Sequence, residues 1–315
     1  MIRFKTAAIV CSIFVILGAI ISGAGTTETL GKLGAINALP GAFAACVAAG
    51  LSVYMMTKFG LPVSTTQAIV GAIVGWNLYT GSPTNMKVLI TILGTWVLCP
   101  IISGLIAMFF YFIIKKFIYK SKLHIFRLDA YTRTALVFAG AFGAYSLGAN
   151  NIANVMGVFV PISPFTDINM MNIFIFSSKE QLFLLGGIAI AVGVFTYSKR
   201  VMFTVGNDIL KMSPVAAFVV VISHSIVLFL FASQGISNFL QSINLPSIPL
   251  VPVSSSQAVV GGVIGIGLLK GGKEVKWSIA GKISLGWFTL PVIAALICFA
   301  ILFVLQNIFN LTVNF

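Results

Sequence analysis

The chain has 315 residues, of which 59% are hydrophobic and 8% charged, and its mean hydropathy is +1.08. Soluble domains carry about 25% charged residues, so this composition excludes an ordinary soluble protein. The net charge is +13, but the basic residues cluster between apolar segments and are not interleaved with aromatic residues, which argues against a nucleic-acid partner. We therefore predict an integral membrane protein embedded in a lipid bilayer.

Apolar segments of about 20 residues, the length that an α-helix needs to cross ~30 Å of hydrocarbon, recur along the chain. Five are predicted to span the membrane fully, near residues 6–24, 88–114, 134–160, 181–198 and 282–307. Two further apolar segments, Ala38–Thr57 and Ile209–Ala232, each lead towards a proline-containing motif. We interpret each as the descending arm of a re-entrant hairpin, which enters the membrane and returns to the same side.

The two motifs are copies of one another. Pro62–Gly75 reads PVSTTQAIVGAIVG and Pro252–Gly265 reads PVSSSQAVVGGVIG, which align without a gap and differ only by conservative changes. Downstream, Trp96-Val-Leu-Cys-Pro100 matches Trp287-Phe-Thr-Leu-Pro291 in a similar apolar helix. The chain therefore contains two related halves.

The positions of lysine and arginine predict the orientation, because cytoplasmic loops carry an excess of them. The segment Lys115–Arg133 holds six basic residues and one acid, and we interpret it as a solvated cytoplasmic loop. Most other basic residues then fall on the same side, and the second repeat is inverted relative to the first. The predicted fold is thus an all-α integral membrane protein with two inverted repeats, each with transmembrane helices and a re-entrant helical hairpin.

This topology divides the chain into three parts. They are the first repeat (1–114, hairpin tip near 58–66), the basic linker (115–133) and the second repeat (134–315, hairpin tip near 233–256). The second hairpin has a longer connection, Ser233–Leu250, which we interpret as a short extra helix.

Each motif combines features of an anion site. Pro62 and Pro252 interrupt a helix, and irregular backbone inside a membrane is tolerated only where it is buried in protein or lines a cavity. The helix that follows begins with unpaired N–H groups and about half a positive charge. Its hydroxyls both donate and accept hydrogen bonds, as a tetrahedral oxyanion requires. Serine or threonine after proline also caps buried helices, but the duplication favours binding. The predicted substrate-binding residues are Ser64, Thr65, Thr66, Gln67, Ser254, Ser255, Ser256, Gln257 and Asn150.

A cluster of asparagines, Asn150, Asn151 and Asn154, lies in the predicted span 134–160. Asn150 and Asn154 are four residues apart and share one helix face. Polar side chains inside membranes are costly and often functional. Three interpretations stay open: the amides join helices, their oxygens bind a cation such as Na⁺, or they hold a hairpin tip in place.

The segments PVSTTQAIVG, PVSSSQAVVG and GANNIANVMG together resemble the inorganic phosphate transporter family of cation-coupled symporters. In that family each half carries a GAND-type helix and a hydroxyl-rich hairpin motif, and the halves are inverted repeats. The resemblance covers nearly the whole chain. It implies that the hydroxyls of both motifs surround phosphate and that Asn150, Asn151 and Asn154 help to form the phosphate and Na⁺ or H⁺ sites. In the predicted division of roles, Asn151 and Asn154 bind the coupling cation.

The chain departs from the family pattern at two places. Asn151 stands where the family usually has aspartate, which removes a formal negative charge from a predicted cation ligand. The first GAND helix of the family is expected before Ala7, so the resemblance implies that the first repeat lacks its first helix.

The predicted function is secondary active transport of inorganic phosphate, coupled to Na⁺ or H⁺, by alternating access around a midplane site. The expected location is the plasma membrane as a multi-pass protein, and the oligomeric state is open, with a homodimer as one alternative. No nucleotide loop, metal-ligand set or nucleophile–base pair is recognisable, so we predict neither an enzyme nor a cofactor. The alternatives are a permease for sulfate or another oxyanion, a passive anion channel, and a non-transporting remnant or membrane scaffold.

Overall fold

The computed structural model describes residues 4–34, 36–58, 63–120, 124–170, 174–196, 198, 212–273 and 275–315. Most of these residues are helical. In chain order the helices are α1 (Phe4–Ser22), α2 (Ala24–Gly34), α3 (Leu39–Lys58), α4 (Thr65–Thr80), α5 (Met86–Lys120), α6 (Ile125–Met156), α7 (Ser178–Thr196), α8 (Pro214–Ala232), α9 (Gln234–Ser242), α10 (Ser255–Leu269) and α11 (Trp277–Asn307). The predicted helical membrane architecture is confirmed.

Six of these helices, α1, α3, α5, α7, α8 and α11, are long and apolar enough to cross a membrane. Helix α6 is 32 residues long, but its asparagines and its charged first turns lower its hydropathy. Each of the five predicted spans coincides with a helix, and the predicted descending arms overlap with the helices Leu39–Lys58 and Pro214–Ala232. Pro62 and residues 209–211, which belong to the predicted hairpins, lie outside the described residues.

The returning arms of the two hairpins are shorter than the descending ones. Helix α4 has 16 residues and α10 has 15, which correspond to about 24 Å and 22 Å. Both fall short of ~30 Å of hydrocarbon, so a returning arm that ends at one membrane surface begins inside the bilayer. This geometry agrees with re-entrant hairpins. The predicted extra helix in Ser233–Leu250 is confirmed as α9.

Three local predictions need correction. The first span ends at Ser22, and Gly23 separates it from α2, a helix that the sequence reading missed. A Cβ at Gly23 would lie 2.3 Å from Ile152 Cγ2, so only glycine allows this close approach. A short antiparallel ribbon, β1 (Ile168–Met170) and β2 (Phe174–Phe176), adds strand to the predicted all-α fold.

The third correction concerns the linker 115–133, which was predicted as a loop but is helical over nearly all of its described residues. Helix α5 continues to Lys120 and α6 begins at Ile125. The segment contains neither proline nor glycine, and Asp129 and Arg133 form an i,i+4 ion pair at 2.6 Å that supports the first turns of α6. Helices α5 and α6 therefore extend beyond the predicted apolar spans. The basic residues of the linker lie mainly on the end of α5 and the start of α6.

The returning arm of each hairpin packs against a long helix of the other repeat. Helix α4 of the first hairpin packs along α11, and α10 of the second packs along α5. A Cβ on Gly71 would lie 2.2 Å from the Pro291 oxygen, and one on Gly261 would lie 2.1 Å from the Pro100 oxygen. These are matching positions of the repeat, so the same close contact is made twice.

Both exchanged pairs run in parallel. One turn after the first contacts, Gly75 meets Ala295 and Gly265 meets Gly104. Residue numbers thus increase together along both helices of each pair. The predicted topology requires this direction for both pairs, whereas the orientation of the repeats relative to the two membrane faces stays a prediction. Helix α6 lies between the repeats and packs against both α1 and α8.

Candidate functional site

The first motif begins helix α4 at its predicted hydroxyls. Ser64 is the N-cap: its backbone is extended, and its Oγ accepts a hydrogen bond from the Gln67 N–H at 3.4 Å. Ser64, Thr66 and Gln67 are buried, whereas Thr65 is exposed. A capping hydroxyl uses a lone pair and keeps its hydrogen, so Ser64 can still donate.

The second motif repeats this arrangement. Ser254 caps α10, with its Oγ accepting from the Gln257 N–H at 3.2 Å. The Ser254 and Ser256 hydroxyls lie 3.1 Å apart, and Ser255 makes no side-chain hydrogen bond within the described chain. Ser255 and Ser256 are partly exposed, so their hydroxyls are available to a ligand.

The two tips meet in the structure. The Thr66 hydroxyl donates to the Val253 carbonyl oxygen at 3.2 Å, although the two residues are 187 positions apart. Val253 immediately precedes the Ser254 cap. Helices α4 and α10 therefore direct their N-termini, with the partial positive charge of each, at one region.

Asn150 of α6 holds the backbone of the second tip. Its Nδ2 donates to the Val253 carbonyl at 2.8 Å, and its Oδ1 accepts from the Val253 N–H at 3.0 Å. Asn150 is fully buried, with 0% relative exposure. The Asn150 side chain thus makes the same two hydrogen bonds to the backbone of Val253 that a neighbouring β-strand would make. Val253 follows Pro252, where no helix can satisfy these backbone groups.

Asn154, one turn further along α6, holds the side chains of the first tip. Its Nδ2 donates to Thr65 Oγ1 at 3.2 Å and to Thr66 Oγ1 at 3.0 Å. Asn151 Oδ1 accepts from Asn150 Nδ2 at 2.8 Å, which links the cluster. The prediction that Asn150 and Asn154 share a face is confirmed. Of the three interpretations of the cluster, holding the tips has direct contacts in the structure.

Several buried amide oxygens near the tips have no partner in the part of the chain that the structure describes. They are Gln67 Oε1, Gln257 Oε1 and Asn154 Oδ1. Gln67 is 1% exposed and Gln257 3%, so no bulk solvent compensates for the missing hydrogen bonds. Buried polar groups are normally satisfied, which indicates that these oxygens face a ligand or water.

Sequence reasoning missed the residues that brace this arrangement. Ser103 Oγ donates to the Ala258 carbonyl at 2.6 Å, and Cys99 Sγ donates to the Ser254 carbonyl at 3.5 Å, which fixes α10 on α5. Thr26 Oγ1 of α2 donates to the Ala149 carbonyl at 3.1 Å, beside the asparagine cluster. Cys99 and Ser103 flank Pro100 of the repeated Trp–Pro segment, and this repeat could have pointed to them. The sequence around Thr26 contains no comparable signal.

The predicted site contains no ionisable side chain. Every predicted binding residue is a serine, threonine, glutamine or asparagine, and the described residues hold no group of three or more His, Cys, Asp or Glu that could bind a metal ion. The arrangement is suited to an anion, which the two helix N-termini and the hydroxyls would stabilise, together with a hard monovalent cation on neutral oxygens.

Comparison with known proteins identifies the family. The sequence profile described as "Phosphate transporter family" matches residues 1–238 and 245–314. The chain belongs to the phosphate transporter family. A Methanocaldococcus jannaschii protein named "Putative phosphate permease" is 27% identical over 299 residues, covering 95% of this chain and 85% of the relative. A Pyrococcus abyssi protein of the same name is 26% identical, covering 93% and 87%.

A solved structure titled "The sodium-dependent phosphate transporter" has the same fold, with a TM-score of 0.74 and 22% sequence identity. The likeness covers 98% of this chain and 91% of that chain. Family membership confirms the resemblance seen in the motifs and the expectation of a multi-pass membrane protein that is not an enzyme. The individual binding roles of the tip residues and asparagines stay predictions.

Proposed function

We propose that this member of the phosphate transporter family is a secondary active carrier that moves inorganic phosphate together with a cation by alternating access. The observation that carries the proposal is the direct hydrogen bond between Thr66 Oγ1 and the Val253 carbonyl, which joins the two hydroxyl tips. Two helix N-termini and both sets of hydroxyls thereby face one small region inside the bilayer. The names of the relatives support phosphate as the anion.

The anion would bind through groups that need no formal charge. Ser255, Ser256 and Thr65 retain exposure, and their hydroxyls can donate to unprotonated oxygens or accept from protonated ones. The first N–H groups of α4 and α10 lack partners within their own helices and add further donors. A site of this kind releases its anion more readily than one built on lysine or arginine, which suits a carrier.

The coupling cation would bind on amide oxygens beside the anion. Asn154 Oδ1 is buried without a partner, and Asn151 Oδ1 points into the same cluster, where it accepts from Asn150. Neutral oxygen ligands suit Na⁺ better than Mg²⁺, which prefers carboxylates and phosphates. Because Asn154 also donates to Thr65 and Thr66, an ion on its oxygen would orient the donors of the first tip. This shared side chain gives a physical route for coupling.

Alternating access would separate or rotate the two tips around this site. Each tip is fixed to a long helix of the other repeat by the close glycine contacts, so a tip and its partner helix would move as one unit. The Thr66–Val253 hydrogen bond between the tips is the weaker connection, at about 0.5–1.5 kcal/mol net. It can therefore break and re-form during each cycle.

The test is uptake of radiolabelled phosphate into proteoliposomes that contain the full chain, with and without an inward Na⁺ gradient or an H⁺ gradient. We expect uptake that a gradient stimulates and that excess unlabelled phosphate suppresses. Empty liposomes and the exposed-site variant Ser242→Ala are the controls. Uptake that continues at the same rate when both gradients are collapsed would indicate a passive channel.

Competition with sulfate identifies the anion. Phosphate uptake that excess sulfate leaves unchanged would support a phosphate carrier. Stronger uptake of labelled sulfate than of phosphate would replace the proposal with the oxyanion alternative. Absence of uptake from correctly folded protein would support the non-transporting remnant.

A further inference from the structure

The four tryptophans of the chain fall into two pairs. Trp76 Nε1 donates to the Val313 carbonyl at 3.1 Å, and Trp277 Nε1 donates to the Gly272 carbonyl at 3.3 Å. Trp96 Nε1 and Trp287 Nε1 are shielded from solvent, but neither finds an acceptor anywhere in the described residues. The two tryptophans without an acceptor are the pair related by the internal repeat.

Trp96 and Trp287 lie at the level of the hydroxyl tips. Helix α5 runs parallel to α10, with Pro100 against Gly261, so Trp96, one turn before Pro100, is level with Gln257, one turn before Gly261. The Cys99–Ser254 contact confirms that this part of α5 lies beside the second tip.

The first tip has the same relation to α11. Pro291 lies against Gly71, so Trp287, one turn earlier, is level with Gln67. Trp287 is 9% exposed and belongs to a buried cluster that includes Val260 of α10, so it also lies near the second hairpin. Each tip therefore has an unpaired indole N–H of the repeated pair at its own height in the membrane.

An unpaired acceptor accompanies each unpaired donor. Gln257 Oε1 is buried without a partner at the level of Trp96, and Gln67 Oε1 is buried without a partner at the level of Trp287. The donor and acceptor of each pair are not bonded to one another. A local packing defect would leave one polar group without a partner at one position. Here the same combination, an indole N–H and a glutamine oxygen, is without partners in both repeats.

Burial of an unpaired polar group is costly, and phenylalanine would fill an apolar space at these positions without that cost. The indole N–H is a donor only, so its partner must be an acceptor. The backbone and side-chain acceptors described here do not supply one, which leaves both N–H groups available to a bound species. The bound species that the tips are suited to hold is an oxyanion, whose oxygens are acceptors.

We propose that the indole N–H groups of Trp96 and Trp287 donate hydrogen bonds to the transported anion, one from each repeat. The inference rests on the proposed function, because it assigns two further ligands to the same site. A donor that cannot accept selects an unprotonated oxygen, unlike the serine and threonine hydroxyls. The two tryptophans thus require an anion with at least two unprotonated oxygens, a condition that both the dihydrogen phosphate monoanion and the hydrogen phosphate dianion meet.

The test is a phosphate titration of the full chain, labelled with ¹⁵N at the indole nitrogens, in lipid nanodiscs at constant Na⁺. The four indole signals are assigned with the single variants Trp76→Phe, Trp96→Phe, Trp277→Phe and Trp287→Phe. We expect phosphate to shift the signals of Trp96 and Trp287 in proportion to site occupancy. The signals of Trp76 and Trp277 should not move, because their N–H groups already have backbone partners.

Affinity measurements on the same variants give a second readout. Each of Trp96→Phe and Trp287→Phe keeps an aromatic ring and removes one donor, so we expect the Kd for inorganic phosphate to rise about tenfold. Trp76→Phe and Trp277→Phe are the matched controls and should stay within twofold of the parent. The signals of the unmutated chain remain informative even where one variant folds poorly.

Two results would overturn the inference, and they differ in meaning. If the parent chain binds phosphate but neither the Trp96 nor the Trp287 signal moves, the indoles are not ligands, and the hydroxyl tips remain the proposed site. If the parent chain binds no phosphate in the titration, the proposed function fails, and the inference fails with it.

Discussion

The two hairpin tips share a motif, a serine cap and a glycine contact, yet α6 holds them by different means. Asn154 holds the first tip by the hydroxyls of Thr65 and Thr66, whereas Asn150 holds the second by the backbone of Val253. The second tip therefore keeps more of its hydroxyls available. The difference teaches that equal sequences in a repeat need not have equal roles, because one face of α6 contacts both tips through residues one turn apart, Asn150 at the second tip and Asn154 at the first.

The largest expected effect tests what the two tips share. Gly71→Ala and Gly261→Ala would each place a Cβ about 2.1–2.2 Å from a backbone oxygen of the partner helix, so the helices must separate. We expect a loss of more than about 4 kcal/mol in stability for either variant. The yield of monodisperse protein and its thermal unfolding in detergent are the measurements.

The matched controls are Gly50→Ala and Gly94→Ala, where an added Cβ meets no atom within 4 Å. They should match or exceed the parent in stability, since alanine favours helix over glycine. Equal stability of Gly71→Ala and the controls would refute the exchanged packing of the hairpins.

The next prediction compares the stability that α6 contributes at each of the two tips. Asn150→Ala leaves the buried Val253 N–H without a partner, which costs about 1–3 kcal/mol. Asn154→Ala removes a donor from two hydroxyls that can rotate to new partners, so it should cost about 1 kcal/mol or less. Thermal unfolding of both variants checks the order. A larger loss for Asn154→Ala would reverse the comparison between the tips.

The tip hydroxyls are expected to affect transport more than stability. Thr65→Ala and Ser255→Ala each remove a donor from the proposed anion site, worth about 1–3 kcal/mol, so phosphate uptake should fall by about fivefold or more. The amount of protein in the membrane should change little. Thr134→Ala and Ser242→Ala, both at exposed positions, are the matched controls. Uptake near the parent level in both tip variants would remove these residues from the site.

The last expected effect concerns the cation. Asn151→Asp adds a negative charge beside the Asn150 and Asn154 amides, which already donate to this position. We expect the apparent Na⁺ affinity for phosphate uptake to rise about tenfold, which corresponds to about 1.4 kcal/mol. The Na⁺ dependence of uptake at fixed phosphate measures it. An unchanged Na⁺ response would argue against Asn151 as a cation ligand.

Some features of the site were readable because the signal is local. The gapless match of PVSTTQAIVG and PVSSSQAVVG identified both tips, and the i,i+4 spacing placed Asn150 and Asn154 on one face. Both predictions use periodicities of a single helix. The boundary at Gly23 was missed because glycine is permitted within an apolar helix, and the approach of Ile152 that requires glycine there is a tertiary contact.

The sequence by itself determined the membrane class, the two related halves and the residues of both tips, since hydrophobic length, repetition and hydroxyl content are properties of adjacent positions. Only the tertiary structure decided that each hairpin packs on a helix of the other repeat, that Asn150 and Asn154 hold different tips, and that Trp96 and Trp287 lack acceptors. The contacts among these features join residues more than 80 positions apart. Helix packing chooses among many partners of similar hydrophobicity by close backbone approach and by unpaired polar groups, which no single segment reveals.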